Sequence, residues 1–363
     1  MKIVHVVEAF GGGVFQSVSQ LIKLFSDEHE VVLIYSRRDE TPDDISAFFP
    51  ESVQLIEMRL SRGINPVSDF LGLLRLVRLL RVISPDLIHL HSSKAGFLGR
   101  VAARLCGVSD LTIYSPRGLA FEQVTLRAWK RRLYLYLEKV GAAFGGEVVA
   151  CSGSELAAVR EKLGATKSSL IENAIDTSLL PDPAISNKPP GFVVVSSGRF
   201  CEQKNPYAFL ELAKRLKPLD IRFRWIGGGD EVTTKAFEAH GVEVTGWVSR
   251  EEGFSFLQGA DIYIQTSLWE GMPLSVIEAQ CLGVPAIVTD AIGNRDVVID
   301  AVTGYVASSL DELESQLMRL YRNDEERKTF ALAARELSLS RFCLDRMYQE
   351  YRITYDKSSR LSG

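Results

Sequence analysis

Ile262-Tyr263-Ile264-Gln265-Thr266-Ser267-Leu268-Trp269-Glu270-Gly271-Met272-Pro273-Leu274-Ser275-Val276-Ile277-Glu278-Ala279 reads as a strand, a tight loop and a helix. The apolar run ends near Thr266. Pro273 suits a first helical position, where its fixed φ is already helical and its missing N–H would be unpaired anyway. Gly283 can supply the C-terminal cap. The same unit recurs on both sides. Upstream, strands at Gly191–Ser196, Ile221–Ile226 and Val242–Thr245 alternate with helices at Pro206–Lys214, Thr233–Ala239 and Glu251–Leu257, and Ala286–Thr289 is the next strand downstream. The first half repeats the pattern, with strands at Lys2–Val7, Glu30–Tyr35, Val53–Met58, Leu87–His91, Leu111–Ser115 and Glu147–Cys151. Helices are expected near Phe15–Ser26, Phe70–Ile83, Ala95–Leu105 and Leu126–Ala142. Such alternation predicts α/β domains with parallel sheets covered by helices on both faces.

The least regular stretch carries Pro181, Pro183, Pro189 and Pro190. The expected organisation is therefore a first domain over 1–175, a linker over 176–190 and a second domain over 191–344. A tail helix over 345–363 packs back on the first domain, within a polar helical stretch, Glu312–Tyr355, expected to lie across both halves. Two Rossmann-like parallel-sheet domains would face a central cleft, because ligands bind beyond the carboxyl ends of parallel strands.

With 46 % apolar and 24 % charged residues, the 363-residue chain has the balance of a soluble globular protein. Its five cysteines form no Cys-x-x-Cys pair, so neither a disulfide framework nor a zinc site is indicated. The start, Met1-Lys2-Ile3-Val4-His5, runs straight into a strand pattern rather than a signal peptide. No run approaches the ~20 apolar residues of a membrane span, so a cytoplasmic location is expected. The net charge of −4 hides 14 Lys or Arg against 5 Asp or Glu between Arg59 and Lys139. A segregated basic patch calls for an anionic partner and is not the whole-domain basicity of a nucleic-acid binder.

Two constellations carry chemistry. In the first, the free amides and positive dipole end of the helix after Pro273 are ready for a diphosphate or sugar oxygen. Glu270 lies on the loop where it can meet a sugar. Glu278 lies inside an apolar helix and needs hydrogen-bond partners, which vicinal ribose hydroxyls would supply. The second is Ser197-Gly198-Arg199-Phe200-Cys201-Glu202-Gln203-Lys204-Asn205, at the end of the first strand of the second half. Gly198 allows close backbone approach. Arg199 offers a planar fork for phosphate oxygens and Lys204 a point charge.

In chain order, these motifs join Gly11-Gly12-Gly13, His89-Leu90-His91-Ser92-Ser93-Lys94-Ala95-Gly96, Ser115-Pro116-Arg117-Gly118, Val149-Ala150-Cys151-Ser152, Glu172-Asn173-Ala174-Ile175-Asp176 and Ile226-Gly227-Gly228-Gly229. Over nearly its whole length the chain resembles glycosyltransferase family 4, retaining enzymes of the two-domain GT-B fold. The resemblance implies that Arg199 and Lys204 hold the donor diphosphate and that Glu278 takes the ribose. Glu270 and the backbone of Gly271, Met272, Pro273 and Leu274 would orient the donor sugar. Gly12, Gly13, Gly198 and Gly228 would line the nucleotide-sugar, and Trp247 and Val248 would border the base. It also implies front-face attack without metal, cofactor or protein nucleophile.

Two departures stand out. Arg117 occupies a position where relatives often carry histidine, and Val14-Phe15-Gln16 follows the glycines where many carry Glu-Arg. Arg117 is therefore expected on the acceptor side or against a donor hydroxyl. His91 is the better site candidate of the two strand histidines, whereas His5, His29 and His240 carry no spacing signal. The expected reaction moves a sugar from a nucleotide diphosphate-sugar, UDP-linked, to a lipid-linked saccharide of O-antigen or capsule.

Arg75, Arg78 and Arg81 beside Leu71 and Leu74, and Arg127, Lys130, Arg131 and Arg132 beside Trp129, Tyr134 and Tyr136, suit an anionic membrane surface. The enzyme would then sit peripherally on the inner face of the cytoplasmic membrane. A UDP-sugar 2-epimerase of similar fold, which needs acid/base carboxylates and histidines in its cleft, and a non-catalytic donor-binding partner are the alternatives. An oxidoreductase would rest on Gly11–Gly13 alone, without a Gly-x-Gly-x-x-Gly pattern.

Overall fold

The computed structural model describes residues 1–61, 63–165, 167–182 and 188–359. Two compact units emerge. The first holds Met1–Asn173 and Asp345–Gly363, the second Ala174–Leu344. The chain thus passes between them at Asn173–Ala174 and again at Leu344–Asp345. Of the proline-rich stretch 176–190, residues 183–187, with Pro183, lie outside the described residues, as do 360–363 of the tail.

The first unit contains β1 (Lys2–Phe10), α1 (Gly12–Phe25), β2 (Glu30–Arg37), β3 (Gln54–Glu57), α2 (Pro66–Ile83), β4 (Leu87–His91), α3 (Ser93–Cys106), β5 (Thr112–Ser115), α4 (Ala128–Ala143), β6 (Glu147–Ala150), α5 (Gly153–Ala158) and β7 (Ser168–Leu170). Its seven strands run in the order β3-β2-β1-β4-β5-β6-β7, and every pairing is parallel. The order reverses between β1 and β4, the switch point where an open sheet leaves a crevice. β4 is wholly buried and β1 is buried except at Lys2 and Ala9, as strands covered on both faces must be, and the histidines His5, His89 and His91 are enclosed with the apolar residues.

The second unit contains β8 (Phe192–Arg199), α6 (Pro206–Arg215), β9 (Ile221–Gly228), α7 (Glu231–Glu238), β10 (Val242–Val244), α8 (Arg250–Gln258), β11 (Ile262–Gln265), α9 (Leu274–Cys281), β12 (Ala286–Thr289), α10 (Asn294–Val297), β13 (Gly304–Ala307), α11 (Leu310–Arg322) and α12 (Asp324–Arg341). Its six parallel strands run β10-β9-β8-β11-β12-β13, with the switch between β8 and β11. The last helix, α13 (Leu344–Ser358), belongs to the first unit.

The polar tail read as one stretch across both halves is thus three helices with different allegiances. α11 buries Leu313, Leu317 and Leu320 in the core of the second unit. α12 also stays with that unit, and Arg335 there donates to the Cys281 carbonyl of α9 at 2.7 Å. Only α13 crosses back. It buries Met347, Tyr351 and Tyr355, and its Tyr355 ring lies 4.7 Å from that of Phe25 on α1.

A second correction concerns Pro273. It is the cap residue just outside α9, with ψ at 115°, rather than the first helical residue. Its carbonyl accepts from Ile277 N at 3.3 Å, so the helix starts one residue later than the proline rule alone implies. Gly283, with φ at +77°, follows the helix as expected.

Candidate active site

In the second unit, Arg199, Lys204 and Glu270 lie at or just beyond the carboxyl ends of β8 and β11, flanking the switch point. Glu270 is not held out on its loop. It is buried, with Oε1 accepting from Lys204 Nζ at 2.7 Å, Ser267 Oγ at 2.7 Å and Gln265 Nε2 at 3.1 Å. Oε2 accepts from Gln203 Nε2 at 3.1 Å and keeps one lone pair for a ligand hydroxyl. A lysine at this distance draws the carboxylate inward and makes it a poor nucleophile. Burial works against the Lys204 ammonium, yet the Glu270 carboxylate keeps its pKa above the ordinary lysine value, so it stays charged.

Glycine is required where this loop is built. At Gly293, with φ at +84°, a Cβ would come within 2.6 Å of the Gly271 carbonyl, and the neighbouring Ile292 carbonyl accepts from Glu270 N at 3.1 Å. At Gly227, opposite Gly198 in the β8–β9 register, a Cβ would lie 2.5 Å from the Gly198 carbonyl. Gly228 pairs with Arg199 in the same register and accepts from Phe200 N at 2.7 Å. Met272 and Leu274 are buried at the entrance to α9. Trp247 is exposed and Val248 half-buried on the segment between β10 and α8.

Glu278 lies on α9, half-buried, and its Oε1 accepts from Arg250 Nη2 at 3.3 Å. Arg250 opens α8 two residues after Val248, so this ion pair ties the Trp247–Val248 segment to the helix that carries Glu278. Burial pushes the Glu278 carboxyl up to about 7, against the pull of Arg250.

The first unit holds the rest of the sequence-predicted residues. Gly12 and Gly13 open α1 and are exposed, and a Cβ added at either would meet no atom within 4 Å. His91 ends β4 and is fully enclosed. Arg117, just past β5, sits in a left-handed conformation with φ at +54°. Its Nε donates to His91 Nδ1 at 3.2 Å, and its Nη1 donates to Ser17 Oγ at 2.5 Å and Asn173 Oδ1 at 3.2 Å. The Glu155 carboxylate accepts from Gly118 N at 2.7 Å and Cys151 N at 2.8 Å, which fixes the loop on either side.

His91 is thus a partner of Arg117 beneath the surface, not a side chain lining open space. His5, which carries no spacing signal in sequence, belongs to the same group: its Nδ1 lies 3.0 Å from His91 Nε2. His89 is bonded to Tyr355 Oη at 2.8 Å and Ser115 Oγ at 2.9 Å. Ring nitrogens of the three histidines lie within 4.8 Å of one another, a spacing a metal could use. Both nitrogens of His89 and of His91 are already hydrogen-bonded, however, and a guanidinium touching His91 opposes a dication. The group does not fit a metal.

Two family models match the chain in tandem. Residues 12–173 match a glycosyl transferase 4-like domain, and residues 182–337 match glycosyl transferases group 1. The chain belongs to the family-4-type glycosyltransferases of GT-B fold. It is 29 % identical over 90 % of its length, and 89 % of the relative's, to an Escherichia coli UDP-Gal:alpha-D-GlcNAc-diphosphoundecaprenol alpha-1,3-galactosyltransferase. It is 25 % identical to an uncharacterised 41.2 kDa protein of the Klebsiella pneumoniae cps region, over 97 % of this chain and 98 % of that one. Among solved structures, Anabaena Alr3699/HepE in complex with UDP and glucose matches with a TM-score of 0.79 at 17 % identity, covering 98 % of this chain and 99 % of that one.

In this glycosyltransferase the structure gathers Lys204 with Glu270 directly, and His91 with Arg117 directly. Gln203, Gln265 and Ser267 join the first group and Ser17, Asn173 and His5 the second, while Arg250 pairs with Glu278; none of these was given a role from sequence. The register of β1 and β4 was the available signal for His5, since it places His5 opposite His89 and Val7 opposite His91.

Proposed function

We propose that this glycosyltransferase moves a sugar from a UDP-sugar to a lipid-linked saccharide during assembly of a bacterial surface polysaccharide such as O-antigen or capsule, with retention at the anomeric carbon. The observation that carries this reading is the charged Lys204–Glu270 pair at 2.7 Å, beside Arg199 at the sheet switch point. The bond between the anomeric carbon and the diphosphate oxygen breaks, and its electron pair leaves with UDP. The acceptor hydroxyl forms the new bond on the same face and passes its proton to the departing phosphate. Arg199 and Lys204 neutralise the charge that grows there. Glu270 Oε2 and the backbone from Gly271 to Leu274 orient the donor sugar, Glu278 holds the ribose, and Trp247 and Val248 border the base. Gly198, Gly228, Gly12 and Gly13 leave room for the phosphates, and Arg117 works on the acceptor side.

The saturated Oε1 of Glu270 supports a route without a protein nucleophile. With two side-chain cations at the leaving group, the reaction needs no metal, and EDTA is expected to leave the transfer rate unchanged. The Escherichia coli relative, whose name specifies a diphosphoundecaprenol-linked acceptor, supports the lipid-linked class here. Calorimetric titration with UDP, GDP and UDP-sugars, then mass spectrometry with lipid-linked acceptors, tests the whole. Absence of any nucleotide affinity overturns it. A modified UDP-sugar released without acceptor would mark an epimerase, and binding without turnover a non-catalytic partner.

The same reading places the enzyme on the inner face of the cytoplasmic membrane. α2 buries Val77 and Leu80 but exposes Phe70, Leu71 and Leu74 together with Arg75, Arg78 and Arg81. α4 exposes Trp129, Lys130, Arg132 and Tyr136, while Tyr134 packs against the core. No helix among the described residues is long and apolar enough to cross a membrane. Replacing Arg75, Arg78 and Arg81 with alanine is expected to weaken sedimentation with anionic vesicles about tenfold at low salt. Unchanged sedimentation would refute membrane docking.

A further inference from the structure

Arg117 is unusually constrained for a side chain at the rim of a sheet. Its backbone holds a left-handed conformation that a β-carbon disfavours, and such strain persists only where neighbours over-determine it. Glu155 does so for the backbone. The guanidinium is fixed separately, and its chemistry dictates how.

A guanidinium can only donate. His91 Nδ1, 3.2 Å from Arg117 Nε, is therefore the accepting nitrogen, and the ring proton of neutral His91 sits on Nε2. His91 Nε2–H then donates to His5 Nδ1 at 3.0 Å, which puts the His5 proton on its own Nε2. That atom is buried without a hydrogen-bond partner among the described residues. The series Arg117→His91→His5 thus has one consistent set of tautomers, and it ends on an unpaired N–H, a cost that packing alone does not explain. The His5 and His91 rings are nearly parallel, 5.3 Å apart between centroids, the separation of an edge-to-edge hydrogen-bonded pair. Burial, and then the charge of the neighbouring rings and Arg117, hold His91 far below the ordinary histidine pKa, so Nδ1 stays free to accept near neutrality.

Nε and Nη1 are committed to His91, Ser17 and Asn173, which leaves Nη2 without a partner among the described residues. We infer that His91 and His5 are positioning residues: their tautomers, set in series, lock the Arg117 fork so that Nη2 is its one nitrogen left to bind an oxygen of the acceptor substrate. The acceptor assignment rests on the proposed transfer reaction, whereas the tautomer series rests on the hydrogen bonds alone. A histidine at position 117 would present a shorter, titratable donor. Arginine presents a permanent charge, and a permanent charge needs an orienting frame if it is to discriminate by geometry.

Long-range proton–nitrogen NMR of the full chain labelled with 15N-histidine reads the tautomers without turnover. His91 is expected as a neutral Nε2–H ring at neutral pH, with His5 also Nε2–H, the signals being assigned from single-histidine variants. An Nδ1–H tautomer or an imidazolium at His91 would overturn the series. Kinetics then tests positioning. His91→Leu is expected to lower kcat/KM for the acceptor about 10- to 100-fold, with affinity for UDP-glucose within about twofold of wild type. His91→Asn, whose Oδ1 replaces the accepting Nδ1, should recover most of the loss. Equal losses in both variants would sink the positioning role. If no nucleotide-sugar binds at all, the transfer reading fails while the tautomer result still stands or falls by itself.

Discussion

Lys204→Met is expected to lower kcat about a thousandfold, corresponding to about 4 kcal/mol of lost transition-state stabilisation. Lys204 is the cation whose environment is most completely built: one-fifth exposed, 2.7 Å from Glu270, and kept charged by it. The substitution also leaves Glu270 as a buried carboxylate without its counter-charge, which should cost about 3 kcal/mol of stability. A slow enzyme could therefore be merely a damaged one, and a double variant separates the two causes. In Lys204→Met combined with Glu270→Gln, a neutral amide meets Ser267, Gln203 and Gln265 with no charge left to compensate. Denaturation midpoints should recover most of the way, because the coupling between neighbouring groups is what the cycle measures. Turnover should not recover, because nothing replaces the positive charge at the leaving phosphate. Restored turnover in the double variant, or a single variant within tenfold of wild type, would remove Lys204 from the chemistry.

The alternation of strands and helices was legible because each strand is a β-branched run between turn residues, as in Lys2–Val7 and Ala286–Thr289. The exceptions are instructive. β13, Gly304–Ala307, begins on a glycine that looks like part of a turn, and β7, Ser168–Leu170, is three residues with two serines. β7 has no apolar pattern of its own, and in β13 only Tyr305, Val306 and Ala307 follow the glycine, too short a run to read as a strand without its neighbour β12. The glutamate loop was recognisable from Glu270, Gly271, Pro273 and Glu278, but its internal arrangement was not.

Lys204 and Glu270 are 66 residues apart, and nothing in either motif states that they meet. They meet because β8 and β11 are adjacent and parallel, so that both loops leave the same edge. His5 and His91 come together across 86 residues for the same reason, at the β1–β4 switch point. Long-range partners are set by strand order, a property of the whole sheet that no local window contains. This also explains why the burial of Glu270 could not be read from its loop alone: Lys204 and Gln203, which hold it together with Gln265 and Ser267, arrive from another βα unit.

Glu278 gives the other large effect, and it comes with a pH signature. Its carboxyl titrates near 7 in place of 4.5, because burial opposes the charge more than Arg250 favours it. The folded protein therefore retains a proton that the unfolded chain has released between those values, so stability falls as pH rises from 4.5 to about 7. The penalty is absent below that window and complete above it. Ribose hydroxyls donate best to the ionised form, so donor binding should favour the high-pH state. UDP-glucose is the ligand to use, since its diphosphate diester has no proton to gain or lose near neutrality. Its affinity is expected to tighten as pH rises through about 7, and the dependence should vanish in Glu278→Gln. Glu278→Ala should weaken binding about 100-fold, about 2.7 kcal/mol, through loss of two hydrogen bonds to a charged acceptor. A wild-type affinity in Glu278→Ala, with a flat pH profile, would mean that this carboxylate serves Arg250 and the fold, and that the ribose is held elsewhere.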